Sequence, residues 1–486
     1  MMKKIILILI GFGMLLSCDS QLDINRDPDT LTPDDLDFPV QLPASITGIA
    51  GVQGAPWALI GGIWSQFWAQ SPGSSQYRVV DNYTLGTTDG ISTTGWRNAY
   101  DALLDVKNIK TKALAAENWN YYLIATVLES YTYQMLVDWY GDVPYTEATD
   151  ASIFNPVFDD GQDVYDGLIT ALDDALGRNL AASIGKAPTN DDLIFGGNMT
   201  NWVKFANTLK LKIYLRQTEA RPSVAQAGIT SMLNANTQFL NVSAALKGFT
   251  DAPNISNPLY ESDRRQLNTK NNLRASATMH NFLSSNSDQR LVAFYGVGNP
   301  VVQGDYNNSA GPATFSIADI SPLAPVYFIS LSESYFMQAE AMLRYNSGTG
   351  AKALYDAGVT AAFAQQPDFF DDALATEEAQ TWTKAVYFNA APYIASGGVY
   401  EYPASGFDNQ LEAIIVQKWV ASYPGNGTDA FFEWQRTGYP DFFTVSVNGV
   451  LGTGFPQRLL YPNNETSRNQ NAPSVVPITT PIWWNQ

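Results

Sequence analysis

The sequence predicts a mainly α protein, a scaffold of paired helices broken by long irregular loop insertions. Three observations predict it. Apolar residues recur at helical spacing in a series of segments, several of which follow one another as pairs. Within those pairs, small Ala residues stand beside large aromatics, which lets neighbouring helices approach closely. Between the pairs run stretches rich in Gly, Pro, Asn and Ser, the largest being Leu246–Ala324 and Gln365–Asn409. Loops of that length inside a compact domain are usually functional.

The chain opens on Met-Met-Lys-Lys, followed by an apolar run from Ile5 to Leu16. A membrane-spanning helix needs roughly 20 apolar residues, and this run is too short. A basic start, a short apolar centre and a small Ser17 read as an export signal over 1–17. Cys18 follows, and it is the only cysteine in the chain. Leu15-Leu16-Ser17-Cys18 resembles a bacterial lipobox, so Cys18 is the expected lipid attachment site. Residues 18–37 are polar, acidic and interrupted by Pro28 and Pro33, which suits an extended lipidated tether. Asp23, Asn25, Asp27 and Asp29 alternate like the start of a calcium loop. Pro28 intrudes there, and the Gly and Glu such a loop needs are missing, so no metal is expected.

Residues 38–486 are expected to form a single α-helical domain. Trp96–Ala116 carries Trp96, Tyr100, Leu103, Leu104, Ile109 and Leu114 at helical spacing. Asn118 can cap the next helix, Trp119–Tyr140, and Gly141 and Pro144 end it. This pair resembles the tetratricopeptide pattern, with irregular spacing. Trp139 is expected to be buried below the Gly141–Pro144 turn. Further helices are predicted over Asp160–Leu176, Thr200–Gln217, Ile329–Tyr345, Ala351–Ala364 and Gln410–Ser422. At least four helix pairs are expected between Trp96 and Ser422, with few strands.

Composition removes whole classes of function. A net charge of −19 repels a phosphate backbone, so nucleic-acid binding is disfavoured. One histidine, His280, and one cysteine leave little for zinc or for a His- or Cys-based triad. No G-x-S-x-G, H-E-x-x-H, Walker A or dinucleotide fingerprint is present. No cofactor is expected. A glycosidase using two carboxylates is the hardest enzyme to set aside, since 47 acidic residues offer many pairs. Aromatic residues make up 13% of the chain against 15% charged, which suits ligands with apolar or sugar-ring faces.

Several segments then resemble one family. Leu22-Asp23-Ile24-Asn25-Arg26-Asp27-Pro28 follows the lipid cysteine, and Trp139-Tyr140-Gly141-Asp142-Val143-Pro144-Tyr145 follows the second helix. Asp192–Asn198 runs into Trp202-Val203-Lys204-Phe205-Ala206-Asn207-Thr208-Leu209-Lys210-Leu211-Lys212. Later come Ser332–Ala341, Ile415–Trp419, Glu433–Pro440 and Arg458–Pro462. In order and spacing this set resembles the SusD/RagB family of outer-membrane nutrient-binding lipoproteins, closest to its second SusD-like subgroup. The resemblance implies a tetratricopeptide-like helical-repeat scaffold and a non-enzymatic lipoprotein anchored at the outer-membrane surface. It implies a SusC-like TonB-dependent outer-membrane transporter as partner. It implies an oligosaccharide ligand, or a peptide as in the RagB branch. The quoted motifs lie on helices or helix ends, so ligand contacts are expected elsewhere.

For a sugar, those contacts should be exposed flat rings with polar neighbours on loops. Trp68, Tyr77, Arg78 and Tyr83 lie in a Gly/Ser/Pro-containing stretch before the first helix pair. Tyr260, Arg264, Tyr295 and Tyr306 lie in the long insertion, among Asn257, Asn271, Asn272 and Gln303. These eight residues are the expected ligand site.

Overall fold

A computed structural model describes residues 36–296, 298–365 and 388–485. The export signal, Cys18 and all but the end of the tether lie outside the described residues, as does most of the first half of Gln365–Asn409.

Helix α1 (Phe38–Val52) and helix α2 (Ala58–Trp64) are joined by a π-helical turn over Gln53–Trp57, where Pro56 lacks the N–H a regular helix would use. The whole run is long and apolar enough to cross a membrane, yet most of it is buried inside the protein. Sequence reasoning left it unassigned because it is apolar on every side and shows no helical stripe. Helix α3 spans Gly90–Ala115 and α4 spans Trp119–Tyr140. The Asn118 side chain accepts the Tyr121 N–H at the start of α4, and Gly141 ends it at φ 86°. Helices α5 (Gly161–Leu176), α6 (Met199–Arg216) and α7 (Pro222–Asn234) follow. Asp160 and Asn198 cap α5 and α6 through their side-chain oxygens. After the insertion, which holds α8 (Ala277–Ser285) and α9 (Arg290–Tyr295), come α10 (Leu331–Tyr345) and α11 (Ala351–Gln365). Helices α12 (Phe407–Ala421) and α13 (Gly427–Thr437) follow, with short helical turns at Ala391–Ile394 and Asn463–Arg468.

The helices pack as neighbours in sequence: α3 with α4, α4 with α5, α6 with α7, and α10 with α11. That is the expected tetratricopeptide-like, mainly α scaffold. Helix α1 lies along α3, and α2 crosses α13. Strand content is small. Strand β1 (Trp68–Gln70) pairs antiparallel with β3 (Leu273–Ala275), and β2 (Ala244–Leu246) with β4 (Val326–Ile329). These two ribbons draw the Leu246–Ala324 insertion back onto the body, so it is far more structured than a loop.

Four of the motifs that carry the family resemblance, Trp202–Lys212, Ser332–Ala341, Ile415–Trp419 and Glu433–Pro440, meet in one buried ion network. Lys212 on α6 meets Asp429 at 2.6 Å and Glu333 at 3.1 Å. Arg216, one turn on, meets Asp138 of α4 at 3.1 Å and Glu433 of α13 at 2.6 Å. Arg436 binds Glu340 through both terminal nitrogens, at 2.7 and 2.8 Å, and Glu433 at 2.5 Å. Burial pushes the Glu433 carboxyl up, but Arg436, Lys418 and Arg216 overcome it and hold it well below the usual range. Five helices are thereby bolted together by charges that water cannot reach. Those four motifs carry the network's charges and are structural.

Candidate functional site

Helix α1 and the insertion enclose an open cleft of about 1110 Å³. One wall is Thr47, Ala50 and Leu59 of the N-terminal helices. The second is Gln76, Tyr77, Val79 and Val80 together with the start of α3, and the third is the 246–267 segment. Its lining sets aliphatic side chains, including Val79, Ile91, Leu193, Ile255 and Leu267, beside polar ones such as Gln76, Asn98, Asn254 and Gln266, with Lys247, Asp89 and Glu261 as the charged groups. A large, mostly apolar concavity with a few convergent polar groups is the usual form of a ligand site.

Asn257 shapes the third wall. Its side chain accepts the Leu259 N–H at 2.9 Å and donates to the Ala324 carbonyl at 2.8 Å, which sets the π-helical turn Tyr260–Arg265 against the body. From that turn Asp263, fully buried, accepts the Tyr77 hydroxyl at 2.7 Å and the Asn272 amide at 3.1 Å. Burial first, and the Asp263 charge second, raise the Tyr77 phenol far above its ordinary range, so it stays a donor. This bond joins the second wall to the third.

The eight expected ligand residues divide. Trp68, Tyr77, Tyr83 and Tyr295 are buried, which corrects the expectation of exposed rings. Trp68 sits in β1 with Phe67 and Tyr423 packed edge-on against it. Tyr83 accepts the Ser446 N–H, and Tyr295 donates to the Phe67 carbonyl at 2.7 Å. Arg264 is also buried: it pairs with Asp263 and donates to the Ala318 carbonyl at 2.7 Å. Asn257, Asn272 and Gln303 are buried too, whereas Asn271 is exposed. The physical reason is the β1–β3 ribbon, which folds the insertion onto the 66–83 stretch and turns both into interior.

Arg78, Tyr260 and Tyr306 remain half-exposed. The Arg78 guanidinium lies 4.8 Å above the Tyr306 ring, and its Nε donates to the Ser74 carbonyl at 2.9 Å. Arg265 lies 5.4 Å over the Tyr260 ring. Arg78 stands in sequence between Tyr77 and Val79 of the second wall, and the Arg78–Tyr306 pair adjoins that wall without lining the cleft itself. The aliphatic wall from α1 was missed, and the featureless apolar run from Ile46 to Trp64 held the only signal for it.

A family model described as "Starch-binding associating with outer membrane", SusD-like, matches residues 54–462. No curated protein sequence matches the chain. Among solved structures, a chitin-binding SusD homologue from Flavobacterium johnsoniae is 21% identical, with a TM-score of 0.72 over 92% of this chain and 98% of its own. A SusD/RagB family protein from Bacteroides thetaiotaomicron is 20% identical, with a TM-score of 0.74 over 94% and 99%. A further chitin-binding protein is 23% identical, with a TM-score of 0.71 over 94% and 100%. At these identities the likeness is one of fold.

Proposed function

The chain belongs to the SusD-like family, and from that premise we propose that it is a non-enzymatic surface lipoprotein that captures a nutrient oligomer, a glycan first, and passes it to a SusC-like TonB-dependent transporter. The observation that carries this reading is the family match across residues 54–462. Two solved neighbours of the same fold are described as chitin-binding, which supports a saccharide ligand. Residues 38–486 act as one unit in this reading, with α10 contributing to two apolar clusters: Met337 and Ala341 to the larger, Phe336 and Ala339 to the smaller. Lipid on Cys18 holds the protein at the outer membrane, and the acidic tether gives it reach.

Ligand meets the open cleft and the adjoining Arg78–Tyr306 pair. A guanidinium stacked on a ring keeps its edge free to donate to sugar hydroxyls, while rings and aliphatic walls take C–H faces. The many aliphatic side chains of the cleft favour a second reading, a peptide ligand, since they match apolar side chains as well as sugar rings. Incubation with labelled oligosaccharides and peptides separates the outcomes. Retention of an uncleaved glycan supports capture, retention of peptide supports the second reading, and release of shortened products would reveal a glycosidase instead.

A further inference from the structure

Asp81 is a fully buried carboxylate with no cation in ion-pair contact among the described residues. It lies at the end of the helical turn Arg78–Asp81. One oxygen accepts the Gln70 N–H of β1 at 2.9 Å, and the other accepts the Gln303 side-chain amide in a short bond. Two links therefore join the same two segments in parallel. Asp81–Gln303 is the buried one, and Arg78–Tyr306, three residues away on each side, is the surface one. The 446–450 loop spans the same joint, with Val450 N–H on the Asn82 carbonyl and the Asn448 amide on the Gly304 carbonyl.

We propose that Asp81, as the un-ionised acid, is the positioning residue that clasps Arg78 and Tyr306 into one ligand-binding border, and that loss of its proton loosens that border. This rests on the capture reading above. The chemistry of the clasp is specific. An ionised Asp81 would be a charge enclosed with amide partners alone, and burying such a charge is expensive. A neutral Asp81 needs an acceptor for its proton. Turning the Gln303 amide over supplies one: its carbonyl oxygen takes the Asp81 O–H, and its NH2 turns to Ser276 Oγ, now 3.2 Å from the Gln303 oxygen. Burial pushes the Asp81 carboxyl up to about 7, against the opposing hydrogen bonds from Gln70, Gln303 and the Gly304 backbone. Tyr83 is the titratable side chain that faces it, and its phenol is raised by burial and by Asp81. Neither β1 nor α2 presents a titratable side chain. Arg274 on β3 is turned to Ser71, Phe315 and Asn271.

Asp81→Asn keeps the shape and is always neutral. A panel of chitohexaose, maltohexaose, cellohexaose and xylohexaose is offered to both proteins at pH 6 and pH 8. With a competent fraction set by the protonated acid, wild-type retention of the bound sugar should weaken about tenfold between these pH values. Asp81→Asn should hold it equally at both. The same pH dependence in wild type and variant overturns the proposal. Thermal melting tests it without ligand: wild type should lose stability relative to Asp81→Asn as pH rises from about 4 to about 7. Parallel melting curves overturn it too. If no sugar of the panel binds at any pH, the reading of these glycans as ligand falls while the melting comparison still decides the clasp. Should Asp81→Asn not fold, hydrogen exchange on wild type decides. Protection of the 70–83 and 301–306 segments should drop selectively at pH 8 after correction for intrinsic rates, and uniform behaviour overturns the clasp.

Discussion

Trp139 is fully buried at the end of α4, with its ring 4.8 Å from Phe432, 5.7 Å from Trp64 and 6.0 Å from Phe431. It ties α4 to α2 and α13, and the Leu459 N–H binds its carbonyl at 2.8 Å. Trp139→Ala should cost about 3–5 kcal/mol, read by denaturant unfolding, and a loss under about 1 kcal/mol would contradict its place in the core. The ring residues of the site call for a different test. Tyr77→Ala and Tyr83→Ala remove enclosed rings with bonded hydroxyls, so each should lower the melting temperature. Arg78→Ala and Tyr306→Ala remove half-exposed groups, and should abolish ligand retention at nearly unchanged melting temperature. Equal melting losses in all four would place the border in the core as well. Sequence alone grouped these residues as one expected site but could not tell inside from outside. A Tyr in a polar loop looks exposed until a distant strand, here β3 on β1, covers it.

At the scale of elements, α2 and α13 meet backbone to backbone. A Cβ on Gly61 would lie 2.2 Å from the Thr428 N, and one on Gly427 would lie 2.4 Å from the Gly62 N. Backbone cannot yield as a flexible side chain does. Gly61→Ala should therefore destabilise by at least about 1–3 kcal/mol, the usual cost of overpacking, as measured by chemical unfolding. A neutral result would mean the helices can separate without penalty. Periodicity located most of the scaffold. Trp119–Tyr140 was legible to the residue because Asn118 and Gly141 mark both ends, and Ala351, Leu331 and Gly161 helices fell within a few residues of expectation. Helices α1 and α2 were illegible for the opposite reason: burial on all sides erases the polar face that makes a helix visible. Helices α8 and α9 are short and sit amid turn-forming residues, so local signals there pointed to loop.

For the whole molecule, the buried charges set a stability optimum in mildly acidic solution. Glu433 and Glu340 are held below the ordinary value of 4.5. Their stabilisation is complete above that value and is lost as pH falls, because the unfolded chain then takes protons the folded one refuses. Asp81, Asp138 and Glu333 are raised by burial, so their contribution has the other sign and fades as pH rises. Melting temperature followed from pH 3 to 8 should pass through a maximum and fall on both sides, whereas a steady rise to pH 8 would contradict the buried network. The helical side also bears on assembly. Leu104 and Leu114 on α3 are about half exposed, and Phe154, in the loop after α4, is 89% exposed. A partner docked on the helices would cover these side chains. In the proposed function that partner is the transporter, docked on helices while the cleft stays open to ligand. Gentle detergent extraction at native expression should therefore recover a large β-barrel with the protein. Leu104→Asp with Phe154→Asp should release the barrel while leaving saccharide retention intact. Undiminished recovery with the double variant would move the interface off the helices, and loss of retention in the same variant would show that docking and capture share one surface.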